Sequence, residues 1–241
     1  MLRGWIYAVI FSEIDFKADN GRPKNVSPPG AGTSWIVSRT IFAKNFPVQI
    51  DPRLRLILAS KSPRRSYLLE QAAIPFEIRT AETEEVYPDS LDALAVAPYL
   101  AELKATDAVH LLRHDDEVLL TADSVVIIGG QIYGKPADRA AAVATLQKLS
   151  GGQHTVVTGC CLKSKTHQET FAGVTEVYFN ELSAAEIDWY IDTCQPFDKA
   201  GAYGIQEWVG LAMIRRIEGT YPNVMGLPVD LVYQHLVNWN L

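Results

Sequence analysis

The sequence predicts a mixed α/β fold from Arg53 onward. Apolar runs of strand length alternate there with segments of helical periodicity, which is the pattern of α/β proteins. With 241 residues, 48% of them apolar, the chain has enough material to bury one substantial core. The predicted strands lie near residues 54–59, 75–80, 118–128, 154–163, 170–180 and 211–217.

Turn and cap residues mark the boundaries between these elements. Gly129-Gly130 sits between two apolar runs and predicts a hairpin, because paired glycines supply the positive φ angles of tight turns. Asp138 predicts the start of a helix that Gly151 ends. The segment 183–186, Ser-Ala-Ala-Glu, matches a capping box, and a last helix is expected after Pro228.

Residues 1–52 differ from the rest of the chain. Gly21-Arg22-Pro23 and the run Ser-Pro-Pro-Gly-Ala-Gly at 27–32 interrupt any periodic pattern. We therefore expect a loosely ordered N-terminal extension over residues 1–52 and one folded domain over residues 53–241.

The first apolar strand runs into a segment suited to binding an anion. Pro63 fits the first position of a helix, whose free N–H groups and positive dipole end attract phosphate. Ser60, Ser62, Arg64 and Arg65 add side-chain donors, and the planar fork of arginine matches phosphate oxygens. The alternative is an ordinary capped surface helix with exposed arginines.

A carboxylate interrupts the long apolar strand at Asp123. An unpaired buried charge is costly, so such an aspartate is paired, bound to a metal or placed at a cleft; the alternative is a structural aspartate bonded to backbone amides. Glu82, Glu84 and Glu85 form a second acidic group in a predicted loop, where a solvated charge run is the alternative interpretation.

Two lysines and a glycine-spaced loop complete the set of candidates. Lys135 lies between Gly134 and Pro136, a restricted loop that can hold a point charge against phosphate. Lys104 lies in a helical segment, where a plain surface lysine is the alternative. Gln206 follows several glycines and can both donate to and accept from a nucleobase edge, or belong to a structural loop.

Charge and cysteine content restrict the class of protein. A net charge of −6 argues against a general nucleic-acid coat, which needs a basic surface. No apolar run approaches the roughly 20 residues that span a bilayer, so no membrane partner is expected. Three cysteines without zinc-like spacing favour a reducing compartment, and we expect the cytoplasm.

Five segments taken together resemble the Maf family of nucleoside triphosphate pyrophosphatases. They span residues 60–65, 122–124, 134–136, 198–206 and 223–228, and the likeness covers about residues 54–240 in order and spacing. The resemblance implies a fold related to the inosine triphosphate pyrophosphatases: an elongated mixed sheet with flanking helices and a cleft between two lobes.

The resemblance also implies a substrate. Arg64, Ser124 and Gln206 match the subgroup that acts on dTTP and UTP, where these positions govern specificity. The 7-methyl-GTP subgroup instead carries tryptophan in place of the first arginine and glutamate in place of the glutamine. Two departures stand out: Ser124 replaces the usual threonine, and Leu103 replaces the glutamate that precedes Lys104.

The family's chemistry is hydrolysis between the α and β phosphorus atoms, a house-cleaning reaction supported by Mg²⁺ or Mn²⁺. We expect Asp123 to be the proton acceptor and Glu85 and Asp123 to hold the metal, because carboxylates that bind a hard cation can generate a nucleophile from water near neutral pH. The residues implied to bind the substrate phosphates are Ser60, Ser62, Arg65, Lys104 and Lys135. A homodimer would be usual for relatives.

Two other functions remain open at this point. A non-catalytic nucleotide-binding regulator of septum formation and cell division would need the phosphate-binding residues without Asp123. A pyrophosphatase for purine or modified-base nucleotides would use the same chemistry with different base contacts.

Overall fold

The computed structural model describes residues 49–240. Only the last four residues of the predicted extension, 49–52, fall in this range, so that extension stays a prediction. In chain order the strands and helices are β1 (Arg55–Leu58), α1 (Pro63–Gln71), β2 (Phe76–Ile78), α2 (Ala93–Ala108), β3 (Glu117–Ile128), β4 (Gln131–Tyr133), α3 (Arg139–Leu149), β5 (Gln153–Lys163), β6 (Gln168–Phe179), α4 (Ala184–Cys194), α5 (Trp208–Ala212), β7 (Ile214–Glu218), α6 (Tyr221–Met225) and α7 (Val229–Asn238).

The seven strands form one sheet, and the predicted mixed sheet is confirmed. Its order is β2-β1-β3-β5-β6-β7, and β4 pairs with the end of β3. β1 is parallel to both β2 and β3, whereas the remaining pairs are antiparallel. None of the helices in the described part has the length and hydropathy needed to cross a membrane.

The predicted turns and caps are confirmed. Gly129 and Gly130 have φ angles of 57° and 80° and connect β3 to β4. The Asp138 side chain accepts a hydrogen bond from the Ala141 amide at 2.8 Å and begins α3. Ser183 begins α4 with a complete capping box.

One predicted strand starts later than expected, because residues 208–212 form α5 before β7. Gly210 explains the difference: a β-carbon there would lie 1.8 Å from the Ile205 carbonyl oxygen. Only glycine permits this close approach, so the chain makes a helical turn against Ile205 before it enters the sheet.

The two faces of the sheet pack against different helices. Along β3, Val118 and Leu120 point into the larger core, which also contains buried residues of α1, α3, α4 and α7. Leu119 and Ile127 point to the opposite face and pack on α2. Side chains alternate along a strand, so Asp123 faces α2.

Helix α2 lies directly on the backbone of β5. A β-carbon at Gly159 would lie 2.2 Å from the nitrogen of Pro98, which carries no hydrogen. The Thr121 hydroxyl donates to the Ala101 carbonyl oxygen at 2.6 Å and ties the same helix to β3. Gly159 is opposite Asp123 in the β3–β5 register, so this contact brings α2 beside Asp123.

Strand β3 has a gap in its pairing on one side. The register with β1 ends at Leu120, where the Ala59 amide donates to the Leu120 carbonyl, and the register with β4 begins at Val126. Within the described part of the chain, no strand residue is registered with residues 121–125 on that side. The gap opens the middle of the sheet at Asp123 and Ser124.

Candidate active site

Asp123 is anchored by a lysine from α2. The residue is only 9% exposed, and its carboxylate accepts from the Lys104 ammonium at 2.5 Å. Burial of an aspartate on an otherwise apolar strand is therefore compensated by an ion pair. Lys104 is not the free surface lysine that the helical pattern alone left open, since its side chain is 18% exposed and paired.

Glu85 brings a second carboxylate to the same lysine. Its Oε1 lies 2.7 Å from Lys104 Nζ, although the loop that carries it has no regular structure. Burial raises the pKa of Glu85, but the hydrogen bond and charge of Lys104, with Lys135 and Arg65, outweigh it and hold the pKa below its ordinary value. Glu85 thus belongs to a charged cluster and is not simply part of a solvated run.

Glu85 and Asp123 are the two carboxylates of this cluster that could bind a divalent metal ion. Among residues 49–240, no three histidine, cysteine or acidic side chains are arranged to hold a metal ion. Glu85 and Asp123 nevertheless converge on one lysine nitrogen, so they can share one cation. Mg²⁺ commonly uses one or two carboxylates together with water and substrate phosphates. The donor set fits a metal that is held jointly with substrate.

The turn that the sequence predicts to bind an anion lies at the start of α1. Pro63 occupies the first turn of the helix, and Ser62 takes the N-cap position without a side-chain capping bond. The Ser60 hydroxyl accepts from the Ser62 amide at 3.2 Å, which closes the turn. The free N–H groups of α1 and the hydroxyl of Ser62 are thereby left for another acceptor.

Arg65 connects this turn to the gap in β3. Its guanidinium donates to the Gly226 carbonyl at 2.9 Å, to Ser60 Oγ at 3.3 Å and to Ser124 Oγ at 3.4 Å. Burial lowers the pKa of Arg65, and the nearby Asp123 carboxylate opposes this shift. Arg65 therefore links the start of α1 to the gap in β3 at Ser124.

Ser124 points away from Asp123, toward the Arg65 side of the sheet. Its hydroxyl is 2.9 Å from Thr158 Oγ1, which in turn donates to the Asn223 carbonyl at 3.0 Å. Thr158 and Asn223 are both buried and were not singled out in the sequence as functional. The only sequence signal for these contacts is that Asn223 lies in segment 223–228, one of the five segments that resemble the Maf family.

A cavity of about 430 Å³ opens beside α1. It contains two of the three residues implied to read the base, Arg64 and Gln206, but not Ser124. Gln206 Oε1 is buried and has no hydrogen-bond partner within the described residues. The residues lining the cavity are Pro63, Arg64, Tyr67, Leu68, Gln206, Tyr221 and Met225.

A chain of charges fixes Arg64 on the wall of this cavity. Arg64 binds Asp198 at 2.9 Å, Lys199 binds Asp198 at 2.6 Å, and Lys199 binds Glu207 at 3.0 Å. Burial raises the pKa of Asp198, but the bonds from Lys199 and Arg64 outweigh it and lower the pKa to about 2. In the sequence, Asp198 and Lys199 belong to one of the resembling segments, but no pattern there assigns them this role.

Lys135 is exposed on the loop after β4. The carbonyl of the preceding Gly134 accepts from the Gly201 amide at 3.1 Å, which connects this loop to the Asp198–Gln206 segment. Lys135 has no ion pair within 4.0 Å among the described residues, and its positive charge contributes to lowering the pKa of Glu85. It is available to an anionic ligand.

Taken together, these features fit a hydrolase that acts on nucleotides. The chain belongs to the Maf family: the profile described as "Maf-like protein" matches residues 55–239. The predicted family is therefore confirmed.

Curated relatives cover the same part of the chain. The "dTTP/UTP pyrophosphatase" of Phocaeicola vulgatus is 48% identical over 76% of this chain and 95% of its own length. Proteins of the same name from Flavobacterium psychrophilum and Porphyromonas gingivalis are 45% and 46% identical over 76% of this chain and 94% of theirs. The solved Ham1 protein of Staphylococcus aureus is similar with a TM-score of 0.39 and 14% identity, over 52% of this chain and 71% of that one, which is too weak to carry an argument.

Proposed function

We propose that this protein is a nucleoside triphosphate pyrophosphatase that hydrolyses dTTP and UTP to the monophosphate and pyrophosphate. One observation carries the proposal: two consecutive arginines join the two halves of the site. Arg65 joins Ser60 at the start of α1 to Ser124, which is next to Asp123 on β3, whereas Arg64 lines the cavity with Gln206. The names of the relatives support the same activity.

The chemistry requires a base beside the α-phosphorus. Asp123 accepts a proton from water as the water oxygen bonds to the α-phosphorus, and the bond from that phosphorus to the bridging oxygen of the β-phosphate breaks, releasing pyrophosphate. Lys104 holds the Asp123 carboxylate in place at 2.5 Å. Positioning of this kind and stabilisation of charge supply most of the catalysis in phosphoryl transfer.

Cationic and hydroxyl groups offset the charge of the triphosphate. Lys135 is exposed and unpaired with any described carboxylate within 4.0 Å, and Ser60, Ser62 and Arg65 meet at the start of α1. Together with the helix N-terminus they would bind the phosphates and the leaving pyrophosphate.

Glu85 and Asp123 would hold Mg²⁺ or Mn²⁺ jointly with the substrate phosphates. When bound, such an ion lowers the pKa of coordinated water and withdraws charge from phosphoryl oxygens. Lys104 lies between the two carboxylates, so the cation would share them with this lysine.

Base recognition follows from the unsatisfied amide of Gln206. Its buried Oε1 has no partner within the described residues and needs a donor. Uracil and thymine present an N–H at N3, whereas cytosine presents an acceptor there, so a glutamine carbonyl favours the former two. Arg64 would donate to a base carbonyl. Ser124 would help to position Arg65, which donates to its hydroxyl at 3.4 Å.

Homodimer formation and a cytoplasmic location remain predictions. The three free cysteines, Cys160, Cys161 and Cys194, are compatible with the reducing compartment that the sequence predicts. A non-catalytic nucleotide-binding regulator of cell division is the competing proposal, and it would not require the Asp123–Lys104 pair.

The test is release of pyrophosphate from dTTP, UTP, CTP, GTP, ITP and 7-methyl-GTP, with Mg²⁺ or Mn²⁺. We expect turnover of dTTP and UTP to exceed that of CTP. Preferential turnover of a purine would shift the proposal to a purine or modified-base pyrophosphatase. Binding of nucleotides by folded protein without any turnover would favour the regulator.

A further inference from the structure

One wall of the cavity beside α1 is not used by the contacts assigned so far. It is formed by Tyr67 of α1 and Tyr221 of α6, which are 49% and 41% exposed. A single exposed aromatic side chain is common on a protein surface. Here two of them line one cavity together with Met225 and form a continuous apolar wall. Such a surface favours a flat, apolar ligand group.

The two tyrosines lie close to one another although they come from distant parts of the chain. Burial raises the pKa of Tyr221, and the neighbouring Tyr67 hydroxyl adds to the shift. Helix α6 is fixed at this place by the Arg65 bond to the Gly226 carbonyl at 2.9 Å. The arginine that borders the predicted phosphate site thus also contacts the end of α6, the helix that carries Tyr221.

The cavity also contains two polar side chains, Arg64 and Gln206, in addition to this aromatic wall. Arg64 is held there by Asp198 at 2.9 Å, and Gln206 carries a buried carbonyl oxygen that lacks a partner within the described residues. A ligand that fits both walls has an apolar face and a polar edge, as a nucleobase does. A volume of about 430 Å³ lies in the range of small-molecule sites.

We propose that Tyr67 and Tyr221 bind the pyrimidine ring through its faces while Arg64 and Gln206 bind its edge. The inference rests on the proposed function and adds two binding residues to it. Stacking of bases on aromatic side chains is tolerant of base identity, because every base has a π-face. The tyrosines would thus supply affinity, and the edge contacts would supply selectivity.

The experiment compares Tyr67→Ala and Tyr221→Ala with the matching phenylalanine variants, which keep the ring. Tyr99→Ala is the control, because Tyr99 is 39% exposed on α2 and does not line this cavity. Binding of UMP and of inorganic pyrophosphate is measured by calorimetry, and kcat/KM is measured for UTP. UMP is used because its binding needs no turnover.

We expect each alanine variant to weaken UMP binding about tenfold, with pyrophosphate binding unchanged and the phenylalanine variants close to wild type. Equal weakening for UMP and pyrophosphate would make the tyrosines structural and overturn the inference. Unchanged UMP binding in both alanine variants would overturn the inference about the tyrosines but not the proposed function.

Two further outcomes would overturn the inference. Wild-type protein that neither binds UMP nor hydrolyses UTP would overturn the proposed function as well. A wild-type dimer that dissociates in Tyr67→Ala, as measured by light scattering, would assign the aromatic wall to contact between copies of the chain instead of to the base.

Discussion

The backbone of Gly159 on β5 touches that of Pro98 on α2 so closely that a β-carbon on the glycine would lie 2.2 Å from the proline nitrogen. The neighbouring atoms are backbone and cannot turn aside. Since Gly159 is opposite Asp123 in the sheet, the same contact determines how near α2 brings Lys104 to that carboxylate.

The substitution Gly159→Ala should therefore reduce both stability and activity. Displacement of α2 should cost about 1–3 kcal/mol of unfolding free energy, as overpacking of a core does, measured by urea denaturation. Gly152→Ala is the matched control, because its β-carbon would meet its nearest neighbour at an ordinary 3.5 Å. Equal stability of the two variants would show that α2 shifts without cost.

Asp123→Asn removes the proposed base and keeps the shape of the side chain. We expect kcat for UTP to fall about 10²–10⁴-fold, with an unchanged circular dichroism spectrum. Asp115→Asn serves as control, because that carboxylate is exposed and pairs only with Lys165 among the described residues. Activity within a few-fold of wild type in Asp123→Asn would remove this residue from the role.

Lys104→Met leaves two carboxylates without the cation that joins them. The pKa of Glu85 should rise, because burial remains while the hydrogen bond and charge of Lys104 are lost. A carboxylate that must be ionised then titrates at higher pH, so the acidic limb of the kcat/KM profile should move upward. Lys165→Met, at an exposed ion pair, should leave that limb in place.

Gln206→Glu keeps an acceptor but loses the amide donor and adds a charge to the cavity. We expect kcat/KM for UTP to fall by about tenfold or more, because the new carboxylate would repel the carbonyl oxygens that flank N3 of the base and could no longer donate to them. Hydrolysis of inorganic tripolyphosphate should change little. The control is Gln234→Glu on the exposed side of α7. Equal losses for both substrates would make Gln206 structural.

Glu117 makes the fold sensitive to acid. Its side chain is fully buried, and Arg79 donates to it at 2.7 Å and 2.9 Å. Burial raises its pKa, but the bonds from Arg79 and from the Arg113 and His114 amides outweigh it and lower the pKa from 4.5 to about 2.

The sign of the effect follows from this depressed pKa. The unfolded chain binds the proton first as pH falls, so the stabilisation is complete above pH 4.5 and is lost between pH 4.5 and 2. The loss amounts to about 3 kcal/mol for a shift of this size. In urea denaturation, the stability difference between wild type and Glu117→Gln should shrink over that interval; parallel curves would contradict the assignment.

Local signals were sufficient for much of the fold. The glycine pair at 129–130 and the caps at Asp138 and Ser183 act over a few residues, and each element begins where its cap predicts. The boundary before β7 was wrong because Gly210 acts through a contact with Ile205 that no periodic pattern records.

Contacts between segments that are distant along the chain could not be predicted from the sequence. Asp123 could be singled out because a charge interrupts an apolar strand, but its partners Lys104 and Glu85 lie on a helix and an irregular loop. Both looked like solvated surface charges when taken alone. The Arg64–Asp198 pair is separated by 134 residues and could be seen only in the folded chain.

The gap along β3 also affects how the protein exchanges hydrogen with solvent. The Leu120 carbonyl points toward β1, and backbone groups alternate sides along a strand, so the amides of Ala122 and Ser124 face the gap. Two amides in the middle of the sheet should therefore exchange deuterium faster than those of their neighbours Thr121 and Asp123, which face β5. Occupation of the site would slow their exchange, which would report when the enzyme holds its ligand.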